Sequence, residues 1–194
     1  LTILDPSEAR ERQAELVRRL VPELQRLQAA GLRLYYAVAS EPNVGAGSLA
    51  WGKAHLFERF RRVVLGRGLP GTGPMPEIVG AFAVQEDPLA ADAQTWNVHL
   101  NLILVVDPHQ CTRLDDDHLE QLNLELRGNA ILKFPERKTD PTPPGCLSYS
   151  KLHYLWGGDQ FFVRPLEARD GVTLGKKLLE VVKYSAKWVS NKQL

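Results

Sequence analysis

Apolar residues recur along the chain with two spacings, one typical of helices and the other of strands. In residues 7–30 leucines follow every three or four positions, which predicts a long amphipathic helix that Pro22 kinks or divides and Gly31 ends. Further helices are predicted over residues 48–65, 114–127 and about 172–190. Apolar or alternating runs predict strands over residues 32–40, 77–86, 95–106 and 160–167.

The order of these elements predicts the fold class. The strands over 77–86 and 95–106 are joined by a loop without a helical pattern, so we expect an antiparallel pair. Helices before, between and after the strands favour an α+β fold with a central sheet flanked by helices. We expect a single domain over 1–194, with 1–31 as an N-terminal helical extension, excised from a longer protein because Leu1 is not a methionine.

Composition excludes several classes of protein. The 194 residues are 44% hydrophobic and 24% charged, which is ordinary for a globular protein, and no apolar run has the length of a membrane span. No signal-peptide pattern opens the sequence, which favours a cytoplasmic location. Cys111 and Cys146 lie far apart without a CxxC pair, so neither a zinc knuckle nor a disulfide framework is indicated and a reducing compartment is expected.

The net charge of +1 hides a separation of charges along the sequence. Lysine and arginine gather in residues 52–67 and 175–194, whereas aspartate and glutamate gather in 115–125. Basic stretches on a balanced chain indicate a polyanion partner, and solvated helix faces are the equal alternative.

The strand over 95–106 carries a candidate metal site. Side chains alternate along a strand, so His99 and Asn101 share one face while the leucines between and after them fill the other. An imidazole nitrogen and an amide oxygen suit one divalent ion, provided that a third ligand reaches them. The alternative is that both side chains only form hydrogen bonds within the sheet.

The predicted closing helix carries a candidate nucleophile. Tyr184 lies at the edge of its apolar stripe, and Lys183 and Lys187 occupy the adjacent row of the helix. Neighbouring lysines favour the phenolate and can contact phosphate. A core tyrosine with a satisfied hydroxyl is the structural alternative.

Together these segments resemble a known family. Residues 96–101, Trp-Asn-Val-His-Leu-Asn, are similar to the Trp-His-Pro-His-hydrophobic-His motif of the HUH endonucleases, and residues 183–187, Lys-Tyr-Ser-Ala-Lys, match the tyrosine motif of their rolling-circle plasmid replication initiators. Residues 161–166 resemble the strand before that helix, and the whole resemblance spans roughly residues 32–190. It implies an HUH-nuclease or RRM-like fold with about five antiparallel strands flanked by helices.

The resemblance also implies a metal site with Mg²⁺ or Mn²⁺. His99 and Asn101 take the positions of the metal pair, and the third ligand is expected from the preceding strand, with Glu86 favoured and Gln85 as the alternative. Asn97 and Asn101 depart from the family because both replace histidines. An amide oxygen still binds these ions, but more weakly than imidazole, so a reduced metal affinity is expected.

The implied function is nicking of single-stranded origin DNA during replication. Tyr184 would attack the phosphate with help from Lys183 and Lys187, leaving a 5′-phosphotyrosine and a free 3′-hydroxyl, and could rejoin the strands. Helicase and other replication proteins are possible partners, and no membrane is expected. Candidate DNA contacts are Arg59, Arg61, Arg62, Lys176 and Lys177, with base stacking on Trp51, Trp156 or Trp188.

Three alternatives remain open at the level of sequence. The chain could be a single-stranded DNA-binding module whose metal site has decayed, as Asn97 and Asn101 suggest. It could be a structural or interaction domain without a metal. It could also be a relaxase or transposase of the same superfamily, although a single tyrosine in the Lys-Tyr-x-x-Lys helix argues against two-tyrosine types.

Overall fold

A computed structural model describes residues 6–64, 75–91, 94–111, 144–156 and 161–182. Its elements in chain order are α1 (Pro6–Ala29), β1 (Arg33–Ser40), β2 (Val44–Gly45), α2 (Leu49–Val64), β3 (Ile78–Glu86), β4 (Thr95–Trp96), β5 (His99–Val106), α3 (Tyr149–Trp156), β6 (Phe161–Pro165) and α4 (Gly171–Val182). The predicted acidic helix over 114–127 lies outside the described residues. Pro22 lies inside α1 without dividing it, so of the two predicted effects of this proline the division of the helix is excluded.

The predicted α+β class is confirmed, since helices flank an antiparallel sheet. The sheet has the order β3-β5-β1-β6, and the predicted pairing of β3 with β5 is antiparallel as expected. The expected count of about five strands needs correction, because the described part of this sheet has four. The short strands β2 and β4 pair only with each other, in a separate two-stranded ribbon.

The two faces of the sheet have different coverings. The leucine face, defined by Leu100, Leu102 and Leu104, packs against α2 and α3 in the larger core cluster. The opposite face, here called the histidine face, carries His99 and Asn101 followed by apolar residues. Alternation along β5 therefore places the candidate metal ligands on one side of the sheet and the uninterrupted leucine row on the other.

Helices α1 and α4 cover the apolar half of the histidine face. This second core cluster joins Leu24 of α1 and Leu178 of α4 to Leu34, Ile103 and Val105 of the sheet. Residues 1–31, expected as a helical extension, thus contain a helix that contributes to the core. The cluster reaches as far as Tyr36 and Phe82, and His99 and Asn101 lie beyond it.

The two cysteines form no disulfide bond with each other. Cys111 and Cys146 are free thiols, and burial raises the pKa of the Cys111 thiol to about 11. Within the described ranges, no helix combines the length and the apolar character that a bilayer crossing requires.

Candidate functional site

His99 begins β5 and lies directly opposite Glu86, the last residue of β3. Its Nε2 atom lies 3.0 Å from Glu86 Oε2, and the two side chains are only 16% and 7% exposed. Because the residues are register partners on adjacent strands, the backbone ladder holds the imidazole and the carboxylate together. The favoured third ligand of the sequence analysis is therefore next to His99.

The other nitrogen of His99 is held by Asn97. Nδ1 lies 3.0 Å from Asn97 Oδ1 and 3.3 Å from the Asn97 carbonyl oxygen. When Nδ1 carries the proton and donates to these oxygens, the lone pair of Nε2 faces the Glu86 carboxylate. Two lone pairs 3.0 Å apart require a proton or a cation between them, so the pair is built to hold one or the other.

Asn101 is the buried polar residue next along the histidine face, with an exposed fraction of 6%. Its Oδ1 atom accepts a hydrogen bond of 3.0 Å from the Tyr36 hydroxyl, which approaches from β1. An amide oxygen has two lone pairs, so one remains for a metal ion. Tyr36 thereby fixes the amide orientation, as residues around metal ligands commonly do.

The chemistry of these donors fits a small divalent ion. Glu86 Oε1 is buried, and among the described residues no hydrogen-bond partner satisfies it. Two ligands at about 2.1 Å on adjacent octahedral positions are about 3 Å apart, which matches the separation of His99 Nε2 from Glu86 Oε2. Within the described residues, no group of three or more His, Cys, Asp or Glu side chains that could hold a metal ion occurs. The next polar side chain along the histidine face is Asn101, whose amide oxygen would be the third donor of such a site.

Gln85, the alternative third ligand, is on the wrong face. It pairs with Leu100 in the β3–β5 register, and its Nε2 donates to Asp87 Oδ1 at 3.1 Å. A bulge close to Gln85 would have been needed to turn it toward His99. The register shift in β3 instead lies between Ile78 and Gly80, at the far end of the strand.

The predicted tyrosine motif, Lys183, Tyr184 and Lys187, lies outside the described residues, but the helix that precedes it can be oriented. A tight turn at Gly31 links α1 to β1. In α4, Gly171 faces Gln25 and Gly175 faces Val17, so α4 runs opposite to α1. It therefore runs in the direction of β1, toward the end of the sheet at which Ser40 pairs with His99.

The basic candidates do not form one surface. Arg59 is only 20% exposed, because its guanidinium pairs with Glu41 at 2.8 Å and lies 4.8 Å from the centre of the Trp156 ring. Arg61 lies 3.5 Å from Glu58 and is 30% exposed, and the side chain of Arg62 is outside the description.

The other two basic candidates are on a different layer of the molecule. Lys176 and Lys177 are exposed on α4, which packs on the histidine face, whereas α2 packs on the leucine face. The sheet therefore separates the two basic groups. The sequence shows that both groups are basic, but it does not show on which face of the sheet each helix packs.

Two residues of the site were not identified from the sequence. In the sequence, Tyr36 looks like an ordinary aromatic residue of a strand and Glu41 like a carboxylate of a loop. In the fold, Tyr36 donates a hydrogen bond to Asn101, and Glu41 accepts one from Arg59. For Tyr36 the only sequence signal is that it lies an even number of residues before Ser40, on the same face. For Glu41 the sequence contains no such signal, because its partner Arg59 lies on α2, and the local sequence does not show where that helix packs.

Comparison with family models, with curated proteins and with solved structures gave no match for this chain.

Proposed function

We propose that this chain is a replication initiator that nicks single-stranded origin DNA through Tyr184 and can rejoin the strands. The observation that carries the proposal is the group formed by His99, Glu86 and Asn101 beyond the apolar core of the histidine face. Burying the Glu86 Oε1 atom, which no described residue satisfies, is costly unless a ligand completes it. The resemblance of residues 96–101 and 183–187 to the HUH initiators supplies the reaction.

In the proposed reaction the Tyr184 hydroxyl attacks the scissile phosphorus. A bond forms between the tyrosine oxygen and phosphorus, and the bond from phosphorus to the 3′ oxygen breaks, so that this oxygen takes up a proton. Lys183 and Lys187 contribute positive charge that favours the phenolate and the developing phosphate charge. Because the phosphotyrosine keeps the energy of the broken bond, attack by a 3′-hydroxyl regenerates DNA without a nucleotide cofactor.

The metal ligands in this proposal are His99, Glu86 and Asn101, with Mg²⁺ or Mn²⁺ as the ion. When bound, such an ion draws electron density from the scissile phosphate. The protein's own residues prepare the ligands: in the tautomer that carries its proton on Nδ1, His99 donates to Asn97 Oδ1, and Tyr36 donates to Oδ1 of Asn101. This keeps Nε2 of His99 and one amide lone pair available.

The direction of α4 also supports the proposal. The helix runs toward the His99 end of the sheet, and Val181 packs in the same core cluster as Ile103, which is two residues after Asn101. Tyr184 itself lies outside the described residues, two positions after Val182, the last residue of α4.

A covalent adduct assay tests the proposal. A randomised single-stranded oligonucleotide pool carrying a label at the 3′ end is incubated with the protein and Mn²⁺, then separated on a denaturing gel. A 5′-phosphotyrosine retains the 3′ label, so wild type should give a labelled protein band. Tyr184→Phe should reduce this band below detection because it removes the nucleophile.

Tyr149→Phe is the matched control, because Tyr149 is an exposed tyrosine at the start of α3 and should leave the adduct intact. An adduct that persists in Tyr184→Phe would remove this residue from the reaction. Absence of an adduct in wild type would reject the nuclease function itself.

A second candidate is a single-stranded DNA-binding module without a metal. It is favoured by the fact that His99 and Glu86 already contact each other, while Asn101 already has Tyr36. In that case a proton on His99 completes the pair, and Mn²⁺ does not bind. Calorimetric titration with Mn²⁺ separates the two functions, because only the initiator requires the ion.

A further inference from the structure

The first turns of α2 carry an exposed aromatic pair. Trp51 has 63% of its surface exposed, and its ring stacks on His55 with the centroids 4.8 Å apart and the planes 12° from parallel. The helix buries Leu56 and Phe60 against the leucine face, so Trp51 is not required to fill the core. A tryptophan presented in this way, supported by a second flat ring, offers a surface on which another ring can stack.

One ion pair and one histidine–carboxylate contact connect this part of α2 to the candidate metal ligands. Lys53 pairs with Asp87, which directly follows Glu86. His55 Nδ1 lies 3.4 Å from Glu41 Oε1, and the amide of Glu41 donates to the carbonyl of Val98, the residue before His99. Trp51 and His55 therefore lie at the same end of the sheet as His99 and Glu86, although α2 packs on the leucine face and the two candidate ligands are on the histidine face. DNA that contacts both would pass around this end of the sheet.

The charges around the pair favour an anionic partner. Glu41 is 8% exposed and Asp87 19%, whereas His55 is 43% and Lys53 40% exposed. The two carboxylates are thus the more buried partners, and the Lys53 ammonium group and the His55 ring are the more exposed ones. Flat rings interleaved with cations are the combination that binds single-stranded nucleic acid, with bases on the rings and phosphates near the cations.

We propose that Trp51, supported by His55, stacks on an unpaired base of the single-stranded DNA that enters the candidate metal site. This rests on the proposed function for the path of the DNA. The other tryptophans are less suited, because Trp156 is buried and donates its Nε1 hydrogen to the Ser40 carbonyl, and Trp188 lies outside the described residues.

The experiment measures DNA binding without cleavage. Fluorescence anisotropy of a labelled fifteen-residue oligothymidylate is followed with the full chain in EDTA, next to an abasic oligonucleotide of equal charge. Wild type should prefer the thymidylate. Trp51→Ala should weaken thymidylate binding roughly tenfold and leave abasic binding nearly unchanged, because stacking needs a base. Trp51→Phe should restore most of the affinity.

Phe57→Ala is the control, since Phe57 is 45% exposed on the same helix and contacts Phe60 instead. Equal affinity of Trp51→Ala and wild type for thymidylate would overturn the proposal. So would an equal loss in Trp51→Ala and Phe57→Ala, or an equal loss on both oligonucleotides. If wild type forms no covalent adduct but its thymidylate affinity depends on Trp51, the nuclease function fails and the stacking site stands.

Discussion

The two faces of β5 differ in the residues they carry and in how fully apolar side chains cover them. On the leucine face, Leu100, Leu102 and Leu104 are at most 1% exposed and pack against α2 and α3. On the histidine face, Ile103 and Val105 pack in the same manner against α1 and α4, but His99 and Asn101 replace apolar residues toward the strand's start. The apolar pattern is interrupted on one face only, and only where the core cluster ends.

This difference indicates that the polar end of the histidine face has a role other than stability. Burying polar side chains costs free energy unless each is satisfied, and Glu86 Oε1 is not satisfied by the described residues. Leucines at these positions would pack without that cost. The ion of the proposed function would satisfy the Glu86 oxygen that the described residues leave without a partner.

The largest effect is expected from the leucine face. Leu102→Ala should lower the free energy of unfolding by about 2–5 kcal/mol, because it leaves a cavity at a side chain with no exposed surface. Urea denaturation measures this, and Leu179→Ala, at a residue that is 41% exposed on α4, should change the same quantity by less than about 0.5 kcal/mol. A small loss at Leu102 would show that this face is not the stabilising one.

The next effect concerns the metal. His99→Ala should weaken Mn²⁺ binding at least about 100-fold, because changes to the residues around metal ligands alone commonly cost 10-fold to 100-fold. Isothermal titration calorimetry checks this, with His109→Ala as the control at an exposed histidine outside the site. Identical titration curves for wild type and His99→Ala would exclude this metal site and favour the metal-free binding module.

The smallest effect on stability and metal binding is expected at Tyr36, which lies between the apolar half and the polar half of the histidine face. Tyr36→Phe removes one hydrogen bond to Asn101, so it should cost about 1 kcal/mol of stability and weaken Mn²⁺ binding about tenfold. A cycle with Asn101→Ala isolates the coupling, since the loss from Tyr36→Phe should disappear once the amide is absent. Unchanged metal affinity in Tyr36→Phe would limit this hydrogen bond to a structural role.

The sequence predicted the parts of the site that depend on one element. The alternation of a strand was sufficient to place His99 and Asn101 on one face and the leucines on the other. The choice between Glu86 and Gln85 needed the register of β3 against β5, which is set by pairing across the sheet. Local pattern could not supply that register.

The same limit explains the findings on Tyr36 and Arg59. Tyr36 reaches Asn101 only because β1 pairs with β5, across 65 residues of sequence. Arg59 belongs to a basic stretch, yet Glu41 neutralises it from a loop 18 residues earlier. The bounds of α1 and α2 were predicted to within one residue because their apolar spacing is local, whereas the helix α3 was not predicted. The described part of the sheet has four strands instead of about five, and this number depends on which strands pair.

The antiparallel pairing of β3 with β5 has a consequence for the order of folding. Glu86 and His99 are 13 residues apart, so a hairpin that closes a short loop can bring them together early. Helix α4 comes far later in the chain and docks on α1, so the covering of the histidine face is completed after this pair can form. In the function proposed above, a chain still emerging from the ribosome would hold the His99–Glu86 pair before Tyr184 is synthesised, so DNA cleavage would await the end of synthesis.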